Sequence, residues 1–111
     1  MKGSSSLGQF EQLLLTAILC LQDDSYGVTI HAKVAELSAP RAVSIGAVYV
    51  TLERLEQKGL LSSWLSEPTA ARGGRAKRCF RLEAEGERAL RDSASTIHRL
   101  HDALNAAWRT T

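Results

Sequence analysis

The chain has little of most things that mark a specialised class. Only two of its 111 residues are cysteine, Cys20 and Cys79, and neither belongs to a pair at metal-ligand spacing. That excludes a disulfide framework and a cysteine-rich metal site, and a reducing compartment is expected. No apolar run approaches the ~18 residues of a membrane-spanning helix, so no membrane partner is expected. Aromatic residues number six (two each of Trp, Tyr and Phe), so each has individual weight. Internal repeats and low-complexity tracts are absent. Motifs for chemistry are absent as well: there is no glycine-rich phosphate loop with lysine, no serine elbow and no supported carboxylate pair. An enzyme is therefore rejected, and neither cofactor nor metal is expected.

What is present is ordinary in bulk and uneven in detail. The length fits one domain, and 44% apolar with 23% charged residues is a globular composition. The net charge is only +2, but it is concentrated. Residues 61–82 carry five basic side chains, Arg72, Arg75, Lys77, Arg78 and Arg81, against one acidic, while the segments on either side are each slightly acidic. Charge of one sign gathered in a short stretch concerns partners rather than fold. A polyanion and a merely solvating loop are equally compatible with it.

Lys2 followed by the apolar Leu13–Leu21 superficially mimics a secretory leader. Glu11 and Gln12 abut the run, however, and Gln22-Asp23-Asp24 follow where small residues should mark cleavage. At helical period Phe10, Leu13, Leu14, Ala17, Ile18 and Leu21 form one face, which predicts a core helix with Cys20 as a small core residue. Residues 1–6 are expected to be unstructured. Asp23, Asp24 and Ser25 offer N-cap chemistry for a helix over 26–37, with Val28, Ala32 and Ala35 and, beside them, Tyr26, Ile30, Val34 and Leu37 in its apolar spacing. Pro40 ends it, because proline disfavours helical geometry in the residue before it. Ser44 caps the next helix, which runs to Lys58 and stops at Gly59. Residues 60–67 and 77–82 read as strands around a Gly73-Gly74 turn, with Cys79 and Arg81 on one face and Arg78, Phe80 and Leu82 on the other. A long helix follows over 84–108.

Helix, helix, helix, hairpin, long helix is the layout of a winged helix-turn-helix: mostly α with a small β-hairpin. Residues 7–83 are expected to form that module and residues 84–111 a dimerisation helix. In such a module the third helix enters the major groove and the hairpin tip touches the backbone or minor groove. At about 100° per residue, Val48, Leu52 and Leu55 point inward. Gly46, Ala47, Val50, Arg54 and Gln57 point outward, with Tyr49 on the flank. Ser44 and the first free N–H groups suit a phosphate, and Arg54 suits a phosphate or a guanine edge.

The run from Ser44 to Leu60 (SIGAVYVTLERLEQKGL), preceded by Leu13–Leu21 and Tyr26-Gly27, resembles the PadR family of bacterial transcriptional regulators. Gly73–Arg78 at the wing and Leu82–Gly86 at the entry to the last helix match as well. The resemblance implies a homodimeric repressor of double-stranded operator DNA. It implies DNA contacts from Ser44, Tyr49 and Arg54, and from wing cations such as Arg72, Arg75, Lys77 and Arg78. Three positions depart from the family's habit: Val50 replaces a frequent proline, Cys79 a frequent wing tyrosine, and Glu83 a common threonine cap.

Along the last helix Leu90, Ala94, Ile97, His101, Leu104 and Trp108 recur at steps of three and four, an apolar seam that three short helices cannot cover. Two such seams across a two-fold axis would bring two copies of Trp108 together. That either sandwiches a flat aromatic effector or simply closes the dimer. His98 and His101 are too few for a closed zinc site and read as solvated or interfacial. Beside DNA binding stands one other class of function, a winged helix used for protein–protein contact, because this fold does not fix function.

Overall fold

A computed structural model describes residues 7–67 and 76–110. Its elements are α1 (Gln9–Leu21), α2 (Gly27–Ser38), α3 (Ile45–Gln57), β1 (Leu61–Leu65), β2 (Arg78–Leu82) and α4 (Ala84–Arg109). The expected unstructured lead at residues 1–6, and Arg72 and Arg75 of the wing, lie outside the described residues.

The core forms where the first three helices meet the hairpin. Leu14, Leu15, Ala17 and Ile18 of α1, Ile30 and Val34 of α2, and Val48, Leu52 and Leu55 of α3 are fully or almost fully buried. Leu61 and Phe80 close the cluster from the hairpin. Cys20 does not join them. It is exposed, as is Leu19, because both lie on the side of α1 turned away from α2 and α3.

Two local expectations are corrected by contacts from elsewhere in the chain. Ser25 is not a helix cap: its hydroxyl is buried and donates to the carbonyls of Ile18 and Gln22, closing α1 instead. The start of α2 is held by Thr29, whose Oγ1 accepts the Tyr26 N–H at 3.0 Å. Val28, placed in the apolar spacing of α2, is exposed, and the buried residues of that helix are Gly27, Ile30 and Val34. The segment around Ser25 is instead drawn to the hairpin, where Phe80 N–H donates to the Ser25 carbonyl at 2.9 Å and Tyr26 bridges Cys79. The edge of β2 is thus covered, and Cys79 and Phe80 are both buried despite pointing to opposite faces. The hairpin itself is antiparallel, with Leu61 opposite Leu82 and Leu65 opposite Arg78.

α3 begins and ends as its sequence predicts. Ser44 Oγ accepts the Ala47 N–H at 3.1 Å, and Gly59 adopts φ +80° just past the C-terminus, a conformation that side chains disfavour. The chain then enters β1 through Leu60, whose carbonyl accepts the Glu83 N–H at 2.9 Å. Gly86 lies against that same carbonyl, and any β-carbon at residue 86 would fall on it. Glu83 makes no side-chain cap bond, so this backbone junction is what anchors the start of α4. Beyond Ala89 and Leu90, which pack on the core, α4 leaves the domain. At 1.5 Å per residue its 26 residues span about 39 Å, and the radius of gyration is 16.2 Å against roughly 13 Å for a compact domain of this size.

One ion pair spans the core's edge. Glu11 is largely buried and receives the Gly8 N–H at 3.0 Å and Lys58 Nζ at 2.8 Å, joining the start of α1 to the end of α3. Burial pushes its carboxyl up. The Lys58 hydrogen bond, the Gly8 N–H and the charges of Lys58 and Arg54 outweigh that and hold it below its usual range. A depressed folded-state pKa stabilises the fold above the unfolded value, and the contribution is lost as pH falls through the folded one. Glu11→Gln is therefore expected to cost about 1 kcal/mol near neutrality, modest because Lys58 keeps contact with water, and to flatten the acid limb of a urea-denaturation series run against pH. Gly86→Ala should cost more, about 1–3 kcal/mol by the same measurement, because its methyl group collides with backbone.

Candidate nucleic-acid interface

The outward side of α3 is open along its length. Gly46, Ala47, Tyr49, Val50, Arg54 and Gln57 are all exposed, while Val48, Leu52 and Leu55 are buried as their spacing predicts. Thr51 is buried with them. Ser44 caps the helix through Ala47, which leaves the N–H groups of Ile45 and Gly46 for an outside acceptor. Tyr49 also packs back onto α2. Its phenol ring lies directly over the α-carbon of Gly27, so any side chain at residue 27 would displace it. The ring is half exposed, locked between α2 and the reading face. Arg54, in the last turn, forms no ion pair among the described residues, although its charge reaches Glu11.

The wing cations are less free than their number suggests. Lys77 Nζ stands 4.5 Å from the centre of the Tyr26 ring, and the Arg81 guanidinium 5.0 Å from that of Trp64. Arg78 Nη1 donates to Ser63 Oγ at 3.0 Å, and Ser63 in turn donates to Glu56 Oε2 at 2.8 Å. This chain of bonds ties both strands of the wing to α3. The wing therefore holds a set angle to the helix, and Arg78 helps to set it.

Three surface charges have places around the site that spacing alone does not give them. Glu53 is exposed on α3 between the directions of Gly46 and Tyr49, an acid on the outward side of the helix. Arg41 is exposed in the turn before Ser44; counting charge by segment averaged it away among the acids of α1 and α2. Glu56 meets the wing through a contact that only the fold creates.

The seam of α4 divides into two parts. Leu90 is partly buried against the chain's own core, unlike the rest of the seam. Ala94, Ile97, His101, Leu104 and Trp108 are exposed, and Leu100 joins them at 60% exposure, the largest apolar addition to the seam. His98 faces Asp102 at 3.4 Å, one turn on. Among the described residues no group of three or more His, Cys, Asp or Glu is placed to hold a metal ion, and no helix is long and apolar enough to cross a membrane.

Three packed helices, a tethered two-stranded wing and an open third helix define a winged helix-turn-helix. The chain belongs to the PadR-like family of transcriptional regulators, whose family model matches residues 15–92. This is a family of regulators and not of enzymes. Among solved structures, a PadR family transcription regulator from Clostridium difficile is 26% identical, with a TM-score of 0.75 over 91% of this chain and 99% of that one. A PadR-like transcription factor from Bacteroides fragilis is 27% identical, with a TM-score of 0.69 over 90% of each chain. BpsR of Bordetella bronchiseptica, whose DNA binding is regulated by 6-hydroxynicotinic acid, is similar in fold at 18% identity, with a TM-score of 0.65 over 90% of this chain and 66% of that one. No curated protein sequence matches the chain significantly.

The tether gives a direct expectation. Ser63→Ala should lower stability by about 1 kcal/mol and speed hydrogen exchange at the wing amides, while Ser63→Thr, which keeps the hydroxyl, leaves both near the native values.

Proposed function

We propose that the protein is a homodimeric repressor that binds double-stranded operator DNA in the bacterial cytoplasm. In this reading residues 7–83 bind DNA and residues 84–111 hold the dimer together. The observation that carries it is the open face of α3 beside a wing tethered to that helix by Glu56, Ser63 and Arg78. Ser44 and the free N–H groups at the start of α3 meet a phosphate, and Gly46, Ala47 and Val50 let the helix lie deep in the major groove. Arg54 reaches phosphate, since base reading concentrates at the N-terminal end of such a helix. Arg72, Arg75, Lys77 and Arg78 at the wing supply affinity with little sequence choice.

The second copy covers Ile97, Leu100, Leu104 and Trp108, whose exposure leaves an apolar stripe that water disfavours. Trp108 stands at the far end of that stripe, and two copies of it brought together offer flat faces to a small aromatic effector. The regulation of BpsR by 6-hydroxynicotinic acid supports that part of the reading by likeness of fold.

Ala47→Glu tests the reading head. It should abolish binding to duplexes selected from a randomised pool, through clash and repulsion of phosphate, with melting within a few degrees of native, because glutamate is a good helix former on a solvent face. Native affinity in that variant sinks the DNA assignment. Light scattering is expected to return about twice 12.1 kDa at micromolar concentration, and Leu104→Asp to return the single mass.

A further inference from the structure

The outward face of α3 also limits which bases it can select. Val50 is 57% exposed at the centre of that face, a branched apolar side chain in contact with water. One turn earlier lie Gly46 and Ala47, and among the described residues nothing from outside the adjoining stretch of helix comes within 4 Å of where a β-carbon on Gly46 would be. Among the described residues, the helix surface leading from Gly46 to the exposed Val50 is open.

The polar groups of this half of α3 lie at its edges. Ser44 Oγ accepts the Ala47 N–H at the helix start, and the Tyr49 hydroxyl is turned toward Gly27 on the flank. The remaining side chains that hydrogen-bond, Glu53, Arg54 and Gln57, come about a turn or more later. The N-terminal half of the helix, which lies deepest in a groove, therefore meets base edges mainly with hydrocarbon.

Only one feature of a base edge in the major groove matches a side chain without donor or acceptor, the C5-methyl group of thymine. We propose that Val50, with Ala47 beside it, selects thymine by packing against that methyl group. The proposal rests on duplex binding by α3. Nucleic acid is favoured over an apolar protein partner because residues 61–82, which include the wing tied to this helix, carry five basic side chains and one acidic. Gly46 contributes by letting the backbone approach until the shorter Ala47 also touches the base.

The test uses the full chain and duplexes it selects from a randomised pool. Each thymine is replaced in turn by deoxyuridine, which removes the C5-methyl group and nothing else. At about one or two positions per half-site the affinity should fall about fourfold, the effect of one buried methyl group. Val50→Ala should weaken binding to the thymine duplex by a similar factor and leave the uracil duplex within about twofold, so that the two losses do not add. Val50→Thr, which keeps one of the two methyl groups, should lose less than Val50→Ala at the same position. Thermal melts near native for both variants show that they fold. Tolerance of uracil at every position overturns the proposal, and so does a Val50→Ala loss that is equal on both duplexes. If the chain selects no duplex at all, duplex binding itself is wrong, and the thymine assignment goes with it.

Discussion

The peptide of Leu60 is the constraint on which the arrangement depends. Its N–H donates to the Leu55 carbonyl at 3.0 Å and its own carbonyl accepts from Glu83 at 2.9 Å. Gly59 supplies the left-handed turn that brings it there, and Gly86 the clearance that lets α4 start over it. The end of α3, the first strand of the wing, the end of its second strand and the long helix thus meet at one residue. No linker separates them, so a displacement at any one of these elements is felt by the other three.

The parts of this fold legible in the sequence are those specified by local chemistry. Ser44 and Gly59 bracket α3 through a cap and a turn that need only neighbouring residues, and the inward spacing of Val48, Leu52 and Leu55 identifies its buried face. The misreadings share a different cause. Ser25 resembles a cap until its hydroxyl turns back to the Ile18 and Gln22 carbonyls and the hairpin draws its own carbonyl toward Phe80. Cys20 lies in an apolar run on the side of α1 that no later element covers. Leu90 and Ile97 belong to one seam by period, yet only Leu90 lies close enough to the domain to find a partner within the chain. What decides these positions is which distant elements come to cover them, about which periodicity carries no information.

The candidate site was legible to a similar extent. Its outward face followed from α3 alone, whereas the condition of the wing cations did not. Lys77 and Arg81 rest on Tyr26 and Trp64, and Arg78 on Ser63. Such seats restrict where each charge can go without removing it from solvent, so a wing of this kind presents its cations in a preset pattern. An acid on the reading face, Glu53, works the opposite way by opposing indiscriminate attraction to phosphate. On the proposed binding to DNA, attraction and choice fall to different elements of one small module.

The free length of α4 has a consequence for how such regulators diverge. In a two-fold dimer built on this helix, the distance between the two reading heads depends on where along the seam the axis crosses. Sliding that crossing by one helical turn moves each domain by about 5.4 Å along the helix, a displacement comparable to more than one base-pair step. Changes near Leu100 or Leu104 can therefore alter the spacing of the half-sites a dimer fits while every residue of α3 stays the same. Operator spacing and operator sequence become separately inheritable properties of one short chain.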